Sequence, residues 1–126
     1  MSENFKLNQA EMQELMGKID VALEETMDAL KTDITQHQVV PKETGNLEGS
    51  ARAERESENS FYLEYTTPYA ERLYRNPQLD FRQDKNKHAQ GEWLKPWVDG
   101  NRRTWLKKTF AQLLAEQIGG TEEDDG

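Results

Sequence analysis

At 126 residues the chain has the length of one domain. With no cysteine it carries neither a disulfide framework nor thiolate or zinc–thiolate chemistry. Its 24 acids against 16 bases leave a net charge of −8, which repels a phosphate backbone unless a local basic patch overcomes that field. No apolar run approaches the roughly 18 residues of a membrane span, and Met1-Ser2-Glu3-Asn4 lacks the plan of a signal peptide, so a chain that stays where it is made is expected.

The first predicted element is a helix from Asn8 to about Thr35. Met12, Leu15, Met16, Ile19, Leu23, Met27, Leu30 and Ile34 recur at helical spacing along one stripe. Asn8 is suited to cap it, with Glu11 three residues on. At about 40 Å such a helix is longer than a compact domain of this size needs. Its other face carries Glu11, Glu14, Glu24, Glu25 and Asp28, either solvated or offered to a basic neighbour.

Val39-Val40-Pro41 ends that helix, because a residue before proline is pushed toward extended geometry. Thr44-Gly45-Asn46-Leu47 reads as a turn into a short helix, with Gly45 free to take positive φ. Residues 52–60 are strongly charged and read as a strand or a mobile loop. Residues 61–66 alternate as a strand, with Phe61, Leu63 and Tyr65 on one face and Tyr62, Glu64 and Thr66 on the other. A short helix follows over residues 69–75, led by Pro68 and stopped at Asn76-Pro77.

Residues 78–92 are polar and aperiodic, a long loop of the kind that is usually functional or disordered. The last predicted element is a helix over residues 93–118, broken near Pro96 and Gly100. Leu106, Phe110, Leu113, Leu114 and Ile118 form its apolar set, and Gly119-Gly120 caps it. Residues 1–120 thus form one domain, with residues 121–126 an acidic, disordered tail. The fold class is α+β: a long N-terminal helix, a small antiparallel sheet, and a C-terminal helix packed on it.

Catalytic chemistry finds little purchase. His37 and His88 stand far apart without a second ligand at helical spacing, and no phosphate-binding glycine loop or nucleophile elbow is present. Neither enzyme activity nor a cofactor or metal is expected. Arg102, Arg103, Lys107 and Lys108 cluster at the start of the last helix, where the macrodipole disfavours cations. Salt bridges to the acidic first helix or to a neighbouring subunit would offset that, and contact with nucleic acid is the alternative. Tyr74, Trp93 and Trp97 stand near a polar stretch with few aliphatic residues, which predicts partner-facing anchors.

Two segments carry a resemblance. Val40-Pro41-Lys42-Glu43-Thr44-Gly45-Asn46-Leu47 with Ser50, then Tyr65-Thr66-Thr67-Pro68-Tyr69-Ala70-Glu71-Arg72-Leu73-Tyr74, followed by Asp84-Lys85-Asn86-Lys87-His88-Ala89 and Trp93, are similar to minor capsid or head–tail connector (neck) proteins of tailed bacteriophages and prophages. The similarity spans about residues 37–110. It departs from the usual pattern at Glu48, where a basic residue is more typical, and at Asn76, where a glycine is. The turn residues Pro41, Thr44, Gly45 and Leu47 are specific only together with Pro68, Tyr69 and Ala70.

The resemblance implies a structural subunit of a ring in the neck of the virion, made in the host cytoplasm. Its partners would be copies of itself, portal-side adaptor and tail-side proteins, with DNA passing the lumen in passive contact and no membrane involved. The rival from another class is a regulator that binds nucleic acid through the basic group of the last helix.

Overall fold

A computed structural model of the chain describes residues 7–42 and 44–123. Five helices and two strands follow in the order α1 (Gln9–Gln36), α2 (Asn46–Gly49), β1 (Ala51–Ser57), β2 (Ser60–Tyr65), α3 (Ala70–Tyr74), α4 (Lys95–Val98) and α5 (Arg103–Glu123). The architecture is the expected α+β one. α1 and α5 pack along each other, and the antiparallel hairpin β1–β2 lies against α1.

α1 starts where its cap predicts: Asn8 Oδ1 accepts the Glu11 backbone N–H at 2.8 Å. It stops because Gln38 enters the left-handed region (φ 55), the usual conformation just past a helix end. The stripe is not uniformly covered. Leu30 and Ile34 are buried, as are Asp20, Ala22, Thr26 and Asp33, whereas Met12 and Val21 are exposed.

The charged stretch before the predicted strand is itself a strand. Ala51 pairs with Tyr65, Ala53 with Leu63 and Arg55 with Phe61, and a bulge falls between Arg55 and Ser57. Asn59 closes the turn at φ 63, a conformation asparagine tolerates better than most residues. That tip is bolted to α1, for the Asn59 N–H donates to Asp20 Oδ1 (2.9 Å) and its side-chain amide to the Met16 carbonyl (2.9 Å). Arg55 pairs with the same aspartate.

The core lies at the C-terminal end of α1. Leu30, Ile34, Val39, Val40, Leu47, Ala70, Trp93 and Trp97 form one buried cluster, joined by Leu63, Tyr65, Leu73, Tyr74 and Trp105. Residues 86–90 are not a free loop but a strap across it. The His88 and Gln90 N–H groups donate to the Gln38 and Val39 carbonyls at 3.0 and 2.9 Å, pairing backbone groups of the segment that leaves the helix. Buried Asn86 donates to the Val40 carbonyl at 2.8 Å. A Cβ on Gly91 would stand 2.7 Å from Pro77 Cα, so only glycine lets the strap pass there.

The helix break near Pro96 and Gly100 is present between α4 and α5. Gly119-Gly120 does not end the last helix: α5 runs through both to Glu123, since a glycine weighs against a helix by only about 1 kcal/mol. Of the acidic tail, residues 124–126 lie outside the described residues.

Candidate functional site

The two resembling segments meet. Gly45 takes φ 91 and starts α2, which drives Leu47 into the core at 3 % exposure. Thr44 Oγ1 accepts the Asn46 N–H at 3.4 Å. Across from this turn, the Ala70 N–H donates to the Thr67 carbonyl at 3.1 Å over a turn led by Pro68, with Tyr69 at φ −97, ψ 0. Ser50 ties the segments together by donating to the Leu47 carbonyl (2.7 Å) while its Oγ accepts the Thr66 N–H (3.1 Å).

Between the turns lies an open cleft of about 540 Å³. Pro41, Thr44, Gly45, Leu47 and Tyr69 line it; Ala70 is core beneath it, and exposed Pro68 shapes the turn without lining it. Lys42, Asn46, Arg72 and Leu73 of the two segments complete the walls, together with Asp80, Phe81 and Arg82, which sequence reasoning had not singled out. Lys42 pairs with Glu48 at 3.1 Å, and Glu48 also accepts from Asn86. Glu48 therefore has two local partners, Lys42 and Asn86. Arg82 donates to both oxygens of Asp84, and those hydrogen bonds hold the Asp84 carboxyl below its usual range.

The aromatic anchors are corrected by their surroundings. Trp93 is 1 % exposed and Trp97 3 %, so both are core of this chain rather than partner-facing. The strap and α4 fold the polar stretch over them. Half-buried Tyr74 stacks edge-on against Trp93 with ring centroids 4.8 Å apart, and Tyr65 meets the same indole at 5.5 Å. Burial pushes the Tyr65 hydroxyl up to about 12, the Glu48 charge adds to that, and the nearby Trp93 indole opposes it. The Trp93 N–H itself makes no well-formed hydrogen bond among the described residues.

The basic group divides. Arg102 donates to Asp33 Oδ2 through Nε (3.1 Å) and a terminal nitrogen (2.7 Å), and Trp97 Nε1 donates to the same oxygen at 2.8 Å. Its guanidinium also lies over the Trp105 ring. The cation at the wrong end of a helix dipole is thus answered by an acid on α1, one of the offsets the sequence predicted. Arg103, Lys107 and Lys108 are exposed and form no ion pair among the described residues. On α1, Glu11, Glu14, Glu24, Glu25 and Asp28 are all exposed, and among the described residues only Glu14 is in an ion pair (Lys18, 3.6 Å).

Among the described residues no group of three His, Asp or Glu side chains is placed to hold a metal ion, and no helix is long and apolar enough to cross a membrane. Comparison of the chain with protein-family models, with characterised proteins and with solved structures gives no match.

Proposed function

We propose that this chain is a structural subunit without catalysis that joins copies of itself into a ring, serving head–tail joining at the neck of a tailed-phage particle. The observation that carries this reading is the pair of unlike-charged faces that the fold leaves unneutralised: Arg103, Lys107 and Lys108 on α5, and Glu11, Glu24, Glu25 and Asp28 on α1. A chain that bears both halves of a charge match on two different helices is suited to heterologous contacts, which close into rings when the rotation allows. Charges of this kind set register and orientation more than raw affinity.

The convergence of both resembling segments on one cleft supports the connector reading from a second side. The nucleic-acid reading loses Arg102 to Asp33, leaving Arg103, Lys107 and Lys108 as the members of that group without an ion pair among the described residues, on a chain of net charge −8. The test is sedimentation velocity at high protein concentration, alone and with portal-side adaptor or tail-tube protein. Lys107→Glu with Lys108→Glu abolishes the assembly while the unfolding free energy from urea titration stays within about 0.5 kcal/mol of the parent. Assembly that survives the reversal, or DNA binding that falls steeply with salt, overturns the reading.

A further inference from the structure

α1 and α5 each turn a second face to solvent. On α1 the exposed residues Glu14, Gly17, Val21, Glu24 and Asp28 follow one another in alternating steps of three and four. On α5 the exposed residues Thr104, Lys108, Ala111, Ala115 and Ile118 do the same in steps of four and three. Such alternation keeps one stripe along a helix and is the spacing with which two helices mesh over their length. Neither stripe is used inside the chain, where α1 and α5 meet through other residues, Asp33 with Arg102 and Glu25 with Gln117. A methyl group on Gly17 would touch nothing within 4 Å. A glycine inside a helix costs about 1 kcal/mol, and no close approach within the chain asks for this one.

The two stripes carry opposite charge in opposite order. Along α1 the small and apolar residues Gly17 and Val21 come before the acids Glu24 and Asp28; Glu14, at the start, is already answered by Lys18. Along α5 the base Lys108, flanked by Arg103 and Lys107, comes before Ala111, Ala115 and Ile118. Glu24, Asp28, Arg103, Lys107 and Lys108 form no ion pair among the described residues. Laid antiparallel, the stripes match residue for residue: Asp28 against Thr104, Glu24 against Lys108, Val21 against Ala111, Gly17 against Ala115 and Glu14 against Ile118. Arg103 and Lys107 then stand beside Asp28 and Glu25. Small residues meet in the middle, where they let the helix axes come close. A parallel pairing sets the acids against Ala115 and Ile118. Two α1 stripes bring acids without a base, and two α5 stripes bring bases without an acid.

We infer that the outer face of α1 receives the outer face of α5 from a second copy, antiparallel and in this register. The inference rests on the ring reading above and deepens it by naming the joint. Each copy offers α1 to one neighbour and α5 to the other, so the contact is heterologous and gives the assembly a direction. Within one chain the two faces do not meet, because the helices already lie side by side through other residues.

Three measurements test it. Gly17→Gln has open space in the fold and suits a helix better than glycine, so the urea midpoint holds or rises. Assembly, read by sedimentation velocity, then needs about tenfold more protein, because the added bulk parts the helices. Glu24→Lys and Lys108→Glu each weaken assembly by about tenfold, and the chain with both regains most of it, since each changed position meets its changed counterpart on the next copy. The absence of cysteine leaves single-cysteine chains free of side reactions. Under mild oxidation, Gly17→Cys mixed with Ala115→Cys forms the mixed disulfide about tenfold faster than either chain forms its own.

Assembly indifferent to Gly17→Gln, losses from Glu24→Lys and Lys108→Glu that add instead of cancelling, or equal disulfide rates overturn the inference. If Lys107→Glu with Lys108→Glu still abolishes assembly in that case, the ring stands and only this joint falls. A preferred mixed disulfide in chains that stop at small open oligomers keeps the joint and sinks the ring.

Discussion

The two ends of α1 are built differently. Around its last two turns, Ile34, Trp93 and Trp97 are almost wholly enclosed, and a buried carboxylate has three donors on one oxygen. Around its first half, Met12 and Val21 remain exposed, and Ile118 near the far end of α5 is 41 % exposed. The hairpin tip, clamped by Asn59 and Asp20, is what steadies that half. Stability is thus concentrated where the cleft is formed, and the two-helix arm is left with surface to spend on contacts. Local opening is expected to follow the same gradient, lowest in free energy along the arm.

The sharpest way to break this contrast is at the enclosed end. Trp97→Ala removes a buried ring and one donor of Asp33, and about 3–5 kcal/mol of stability goes with it. Against a total of roughly 5–15 kcal/mol for a domain, that shows as a large fall in the urea midpoint. A loss below about 1 kcal/mol would mean that the enclosed end is not the anchor. Gly91→Ala drives a methyl into the Pro77 backbone and costs about 1–3 kcal/mol, with the strap's amides at His88 and Gln90 losing exchange protection first.

Alkali probes the same end more gently. In the fold Tyr65 holds its proton up to about 12, against the usual 10.0, and burial raises Tyr74 as well, with Glu92 adding to it. A folded-state value above the unfolded one favours the fold fully below pH 10. The contribution is then lost as pH climbs from 10 toward 12. Thermal melts in that window should fall for the parent and fall less for Tyr65→Phe. The smallest effect belongs to the arm. Asn8→Ala removes one exposed cap bond and costs about 1 kcal/mol, read as faster amide exchange in the first turn of α1 with the core amides unchanged.

Periodicity and capping made the arm legible: α1 and its Asn8 cap lie where spacing alone puts them, although of the stripe Leu30 and Ile34 are buried while Met12 is exposed. So did alternation for β2, whose inner residues are half-buried and outer ones exposed. The enclosed end was harder to read because its order comes from long-range bonds. Residues 86–90 have no period of their own and are ordered by carbonyls about fifty residues earlier, at Gln38 and Val39. Trp93 and Trp97 looked surface-bound beside polar neighbours, but those neighbours form the cover over them. Gly119 and Gly120 misled in the opposite direction, since helix propensity weighs against glycine by only about 1 kcal/mol and the helix continues.

For the cleft, the turn residues were visible and the cations were not. Lys42, Arg72 and Arg82 are scattered over forty residues, with no spacing that joins them before the chain has folded. Asp33 left a fainter mark. It sits beside the apolar stripe next to Ile34, and the misplaced cations of α5 already asked for such an acid.

Trp97 and Arg102 stand 64 and 69 residues beyond Asp33, and this separation bears on how the molecule forms. Until that long excursion closes, the carboxylate has neither donor and gains by staying in water, so α1 cannot settle its final turns early. Closure over such a distance is slow and entropically costly, and little is recovered until both donors arrive together. The start of α5 and the end of α1 should therefore appear in a single late kinetic step, which stopped-flow fluorescence of Trp93, Trp97 and Trp105 together would follow.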